Sequence, residues 1–157
     1  MLTDFDTINT EPWFNGNIQK IVSIAASMAT VKFNDVIYSG KLVMFDARVF
    51  QLPVNEVVNN FIWRQQDATR NSIQLVGQAY FSHKELHKKS CNDIQDMLME
   101  VHNENWNNYP ISCKRGRCIV KETYEVDDTI KNHWIIDNEI PIFAKDRNYI
   151  DKLMKFD

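Results

Sequence analysis

Phe61-Ile-Trp-Arg-Gln-Gln-Asp-Ala-Thr-Arg-Asn-Ser72 is the stretch on which the reading of this chain turns. Around and within it, Val54, Val57, Val58, Phe61, Ile62, Ala68, Leu75, Val76 and Ala79 recur largely at steps of three and four residues. That period puts apolar side chains on one face and predicts a single long helix from Val54 to about Phe81. The middle of this helix carries Arg64, Gln65, Gln66, Asp67, Thr69, Arg70, Asn71 and Ser72. Such a run is too polar for a core segment, so the helix has more to do than pack.

Upstream, residues 14–32 read as a helix whose apolar face is Ile18, Ile21, Val22, Ala25, Met28 and Ala29. Ala25, Ala26 and Ser27 are small enough for close packing against a sheet. From Lys41 the period changes. Leu42, Val43, Met44, Phe45, Val49 and Phe50 predict a mostly buried strand that runs to Leu52 and is ended by Pro53. Met1 to Phe5 gives a fainter strand pattern. Downstream, Ser82-His-Lys-Glu85 has the spacing of a capping box and starts a short helix. Ser90 caps another, with Ile94, Met97, Leu98 and Val101 inward. Asn103 to Pro110 is a polar loop around Trp106. Arg117 to Val126 alternates as a strand, with His133 to Ile136 as its expected partner across an Asp127-Asp128 turn. Pro141 to Asp157 reads as a loop followed by a short helix. This order gives an α+β domain with a sheet covered by helices on one side.

The chain has 157 residues, enough for one domain with its own core. It is 44% hydrophobic and 25% charged, the make-up of an ordinary globular protein. A net charge of −3 excludes a global basic field, so RNA contacts must come from local clusters such as His87-Lys88-Lys89 or Lys114-Arg115-Gly116-Arg117. Cys91, Cys113 and Cys118 are odd in number and form no Cys-x-x-Cys pair, which fits reduced thiols in a cytoplasmic protein. The acidic start lacks the regions of a signal peptide, and no apolar run nears the roughly 20 residues that span a bilayer.

Several side chains have chemistry to weigh. His83, His87 and Cys91 are spaced four and four, a zinc-like stripe on an unbroken helix, but the Ser90 cap would break it before Cys91. Asp46 and Asp127-Asp128 could bind a hard cation. Asp46 more simply pairs with Arg48, and the aspartate pair suits a turn. Lys20 is either a solvated helix lysine or a phosphate contact. Lys114, Arg115 and Arg117 around Gly116 are either RNA-phosphate ligands or a solvated strand end.

Several ordered motifs resemble the tRNA-His guanylyltransferase family and its Thg1-like relatives, which add nucleotides to RNA in the 3′–5′ direction. They are Trp13-Phe-x-x-x-Ile-Gln-Lys20-Ile-Val-Ser-x-Ala-Ala-Ser27, Phe45-Asp-Ala-Arg-Val-Phe50 and Trp63-Arg-Gln-Gln-Asp-Ala-Thr-Arg-Asn-Ser-Ile73. Asn105-Trp-Asn-Asn108, Lys114-Arg-Gly-Arg117, Glu139-Ile-Pro-Ile-Phe143 and Asp146-Arg-Asn-Tyr-Ile150 continue the series. The resemblance implies the C-terminal part of a ferredoxin-like polymerase palm with a helical and β extension. On that basis residues 1–81 are the remaining palm half and 82–157 the C-terminal region.

The resemblance also implies roles. Lys20, Asn71 and Asn105 would contact nucleotide phosphate. Arg64, Gln65, Thr69, Arg70, Lys114, Arg115 and Arg117 would meet tRNA. GTP or ATP would be substrate and magnesium the metal. Where the eukaryotic branch has His-Ile-Asn-Asn, this chain has Thr69-Arg70-Asn71-Ser72, the Thg1-like pattern, which favours template-directed repair of 5′-truncated RNA. Where that branch has an arginine three residues before the lysine, this chain has Asn17. The family's Asp-Gly-x-x-Phe and Ser-Asp-Glu metal motifs have no counterpart before Trp13, so no catalytic or metal ligand is assigned here. The expected partners are therefore tRNA, nucleoside triphosphates, and a complementary N-terminal half or intact family member. Apolar surface left uncovered by absent palm elements predicts self-association. A non-catalytic RNA-binding module and an assembly protein are the alternative readings.

Overall fold

The computed structural model describes residues 11–37, 40–127 and 129–154. The faint strand pattern at Met1 to Phe5 and Asp128 lie outside the described residues. The fold is mixed α and β, as the element order predicted, and forms two compact units, Met1–Leu52 and Pro53–Asp157.

In the first unit a 3-10 turn, Trp13–Gly16, leads into helix α1, Ile18–Val36. Asn17 caps it, accepting the Lys20 backbone N–H at 3.1 Å. Such a cap contributes about 1 kcal/mol. The 41–52 segment departs from expectation. It is extended, but among the described residues it joins no sheet. Leu42 and Met44 are 89% and 87% exposed instead of buried. The reason lies in its hydrogen bonds. The Asn34 amide donates to the Val43 carbonyl at 2.7 Å and accepts the Val43 N–H at 3.0 Å, the two bonds a neighbouring strand would make. Thr30 Oγ1 takes the Phe45 N–H, and Phe33 meets Phe45 edge-on. Side chains of α1 thus substitute for a ladder.

The second unit is built on helix α2, Val54–Tyr80. Its inward stripe differs in part from the expected one. Val57, Val58, Gln65, Ile73 and Gly77 are buried, whereas Val54 and Leu75 are 52% and 69% exposed. One end of α2 packs on the C-terminal segment. There Val58, Ile140, Phe143, Tyr149 and Ile150 form a core, with helix α6 at Asn148–Asp151. The other end packs on helix α4, Cys91–His102, through Ile73, Ile94 and Leu98. Gly77 permits that second contact, because a Cβ there would lie 2.7 Å from Ile94 Cγ2.

The caps fall where the sequence placed them. Ser82 starts helix α3, His83–Leu86, with a full capping box to Glu85. Ser90 does the same for α4 with Asp93. The short helix α5, Ile111–Arg115, leads to strands β1, Cys118–Val126, and β2, Thr129–Asp137. They pair antiparallel, Val126 opposite Thr129 and Cys118 opposite Asp137, with Asp127 in the turn at φ +50°. Among the described residues no helix is long and apolar enough to cross a membrane.

Candidate functional site

Helical spacing puts Trp63, Arg64, Asp67, Arg70 and Asn71 on one exposed side of α2. Asp67 organises them. Its carboxylate accepts from Arg64 at 3.2 Å, from Arg70 at 2.6 Å and from the Asn71 amide at 3.4 Å. The two arginine side chains remain 58% and 61% exposed. Exposed ion pairs of this kind contribute only about 0.2–1 kcal/mol, so the cluster orients cations more than it stabilises the helix. Two cations around one carboxylate leave a local excess of positive charge. Arg64 also lies over the Trp63 ring, 5.2 Å from its centroid, and Trp63 is 58% exposed.

A second group forms where α2 meets the 105–115 segment. Ser72 Oγ donates to the Cys113 carbonyl at 2.8 Å and accepts the Trp106 indole N–H at 3.0 Å. One hydroxyl therefore ties three segments together. Lys114 Nζ donates to the Asn107 carbonyl at 2.6 Å and lies 5.6 Å from the Trp106 ring centroid. Asn105 Oδ1 accepts the Asn107 N–H at 2.9 Å, and its NH2 has no partner among the described residues.

Other expected contacts are placed differently. Gln65 is not on the exposed face. It is 7% exposed, donates to the Pro141 carbonyl at 2.9 Å and accepts the Phe143 N–H at 2.9 Å. Both ends of its amide are thus occupied by backbone. Thr69 turns its hydroxyl to the Gln65 carbonyl of its own helix. Arg115 Nε donates to the Ile140 carbonyl at 3.1 Å, while Arg117 is exposed without a partner among the described residues. Lys20 belongs to the first unit, its ammonium 5.9 Å from the Phe14 ring centroid.

Asp67, Trp63, Ser72 and Trp106 were not singled out as site residues from sequence. The i,i+3 spacing of Arg64, Asp67 and Arg70 held a signal for Asp67. The Ser72–Trp106 bond joins residues far apart in the chain and left no local trace.

Among the described residues no group of three or more His, Cys, Asp or Glu is arranged to hold a metal. The His83 and His87 rings are 6.4 Å apart, and Cys91 begins a separate helix. Asp46 pairs with Arg48 at 3.4 Å, both largely exposed. The donor set present does not fit a magnesium centre, and no chemical step is assigned through one. Elsewhere, Tyr149 donates to Asp137 at 2.7 Å beside Cys118. Burial first, then this bond, raises the Tyr149 phenol well above its ordinary value, and burial raises the Cys118 thiol. That arrangement holds neutral groups in a core, not a nucleophile.

Comparison with known proteins places this geometry. A bacterial tRNA(His) guanylyltransferase (Thg1)-like protein in complex with ATP is 45% identical, with a TM-score of 0.83, over 99% of this chain and 66% of that one. A complex of such a protein with GTP is also 45% identical, with a TM-score of 0.75, over 97% and 62%. An uncharacterised protein, R259, of Acanthamoeba polyphaga mimivirus is 28% identical over 91% of this chain and 56% of its own length. No family model matches the sequence. The chain thus spans somewhat less than two thirds of these relatives. Its resemblance to the Thg1-like proteins is shown, and the chain fits a C-terminal portion of one.

Proposed function

We propose that this chain supplies the nucleotide- and RNA-contacting part of a Thg1-like nucleotidyltransferase, a cytoplasmic enzyme that adds nucleotides in the 3′–5′ direction to the 5′ end of tRNA. The observation that carries the reading is the 45% identity, across nearly all of the chain, to proteins solved with ATP and with GTP. Residues 1–81 would be the remaining part of a ferredoxin-like palm. In the reaction, the 3′-hydroxyl oxygen of an incoming nucleoside triphosphate bonds to the 5′ phosphorus of an activated RNA end, and the activating group leaves. A monophosphorylated end is first activated by ATP or GTP.

Lys20, Asn71 and Asn105 hold phosphate on this reading. Arg64, Arg70, Lys114, Arg115 and Arg117 contact the RNA backbone, and Thr69 flanks that face. Gln65 acts at one remove, by fixing α2 against the 140–143 segment. The chemistry is mainly positioning and charge stabilisation, so fixed cations are what this part contributes. The carboxylates for magnesium lie outside the described residues, on a complementary segment or an intact family member. The alternative reading is a non-catalytic RNA-binding module that keeps this face.

RNA binding tests the shared premise. The chain should bind 5′-truncated tRNA with an affinity that falls steeply with salt. Removing two phosphate contacts with Arg64→Ala and Arg70→Ala should flatten the log–log salt slope by about 2. Absence of tRNA affinity at low salt would reject both readings in favour of an assembly protein.

A further inference from the structure

Helix α4 turns Ile94 and Leu98 into the core and carries Asn92, Gln95, Asp96 and Met99 on another side. With the 105–107 turn, these side chains line a cleft of about 300 Å³. That is the lower end of ligand-pocket volumes, about 300–1,000 Å³, and suits a flat ring system more than a large ligand. The Trp106 wall is fixed, because its N–H is held by Ser72 and its ring packs against the Ile73–Ile94–Leu98 core.

The polar groups have a definite pattern. Gln95 spends its NH2 on the Cys91 carbonyl at 3.2 Å and keeps its oxygen as an acceptor. Asn92 has no side-chain partner among the described residues and keeps its NH2 as a donor. Asp96 has no partner among the described residues, so both carboxylate oxygens can accept. Guanine presents two adjacent donors, N1–H and N2–H2, and two acceptors, O6 and N7. A carboxylate satisfies the donor pair and side-chain amides satisfy the acceptors. Adenine sets one donor beside an acceptor, and the N1 lone pair would meet the Asp96 charge. Indole supplies a stacking wall for a base.

We infer that the cleft between α4 and Trp106 binds a guanine base. The base belongs either to a free guanine nucleotide or to an unpaired guanosine in RNA. The site does not depend on nucleotidyl transfer and would persist in a chain that transfers nothing.

The test is a titration of the isotopically labelled chain, following the Trp106 indole N–H and the Asn92 and Asn105 side-chain amides by NMR. A Trp106→Phe variant identifies the indole signal. The probes are GMP, AMP and two hairpin RNAs that differ only in a guanosine or adenosine in the loop. A preference of at least about tenfold for guanine is expected, equivalent to about 1.4 kcal/mol. Asp96→Asn, at an exposed position, should abolish that preference without moving signals elsewhere. A guanine response to GMP alone supports the site with free nucleotide as its source, and a response to the hairpin alone supports it with RNA as its source. Equal responses to guanine and adenine, no response to any probe, or a preference surviving Asp96→Asn would overturn it. Asp96 takes no part in the proposed phosphate or tRNA contacts, so Asp96→Asn should leave tRNA binding through Arg64 and Arg70 in place, and the two readings fail separately.

Discussion

Gln65 shows how one side chain can be read by its chemistry and placed by its period. Its polarity and the family resemblance put it with Arg64 and Arg70 among the expected tRNA contacts. Its position, seven residues after Val58 and eight before Ile73, puts it on the core stripe, where the structure has it 7% exposed. The amide is tolerated there because it satisfies the Pro141 carbonyl and the Phe143 N–H. Gln65→Leu keeps the volume but leaves both backbone groups without a partner. The expected cost is about 1–3 kcal/mol for each group so stranded, read as a fall in the urea midpoint. An unchanged midpoint would show that these bonds do not hold the C-terminal segment to α2. Asp67 was legible in principle from its spacing to two arginines. Ser72 was not, because its partners come from the 105–115 segment.

At the scale of elements, the boundaries of α2 were readable because a long periodic pattern lies between Pro53 and the Ser82 cap. The hairpin was readable from alternation around an aspartate pair. The strand expected at Lys41–Leu52 was not, because a strand needs a neighbour and composition does not reveal whether one is at hand. Asn34 fills that role in part. The α2–α4 crossing gives a prediction with opposing terms. Gly77→Ala gains up to about 1 kcal/mol of helix propensity. It also forces a Cβ to within 2.7 Å of Ile94, and overpacking costs about 1–3 kcal/mol. Net destabilisation is expected in urea, and a gain in stability would show that α4 yields easily. The caps add a pH dependence. Hydrogen bonds from Ser82 and Ser90 lower the Glu85 and Asp93 carboxyls. Groups lowered on folding stabilise above their ordinary range, about pH 4, and lose that contribution as pH falls through their folded values. Hydrogen exchange at the Glu85 and Asp93 amides should therefore lose protection on acidification. Protection unchanged down to pH values near about 2, below ordinary carboxylate values, would contradict the capping role.

At the scale of the whole molecule, much apolar surface is uncovered. Val31, Leu42 and Met44 in the first unit, and Ile119, Ile130, Trp134 and Ile136 on the hairpin, are all at least 58% exposed. In the register, Ile119 faces Ile136 and Lys121 faces Trp134, so these hairpin side chains share one face. Surfaces of this kind are normally covered, and concentration-dependent association in sedimentation velocity is expected. A compact monomer at all concentrations would count against it. The Thg1-like resemblance was legible across the chain because its motifs are ordered and numerous, whereas the described residues bring no three His, Cys, Asp or Glu together for a metal. The most direct test of the transfer function uses triphosphorylated, 5′-truncated tRNA with magnesium and all four nucleoside triphosphates. The chain is assayed alone and with the segment of the bacterial Thg1-like relative that has no counterpart here. Extension only when that segment is present is the predicted result. A well-folded complex that extends nothing, or extension by this chain alone, would contradict the division of labour in which this chain contributes the nucleotide and RNA face and its complement the metal carboxylates.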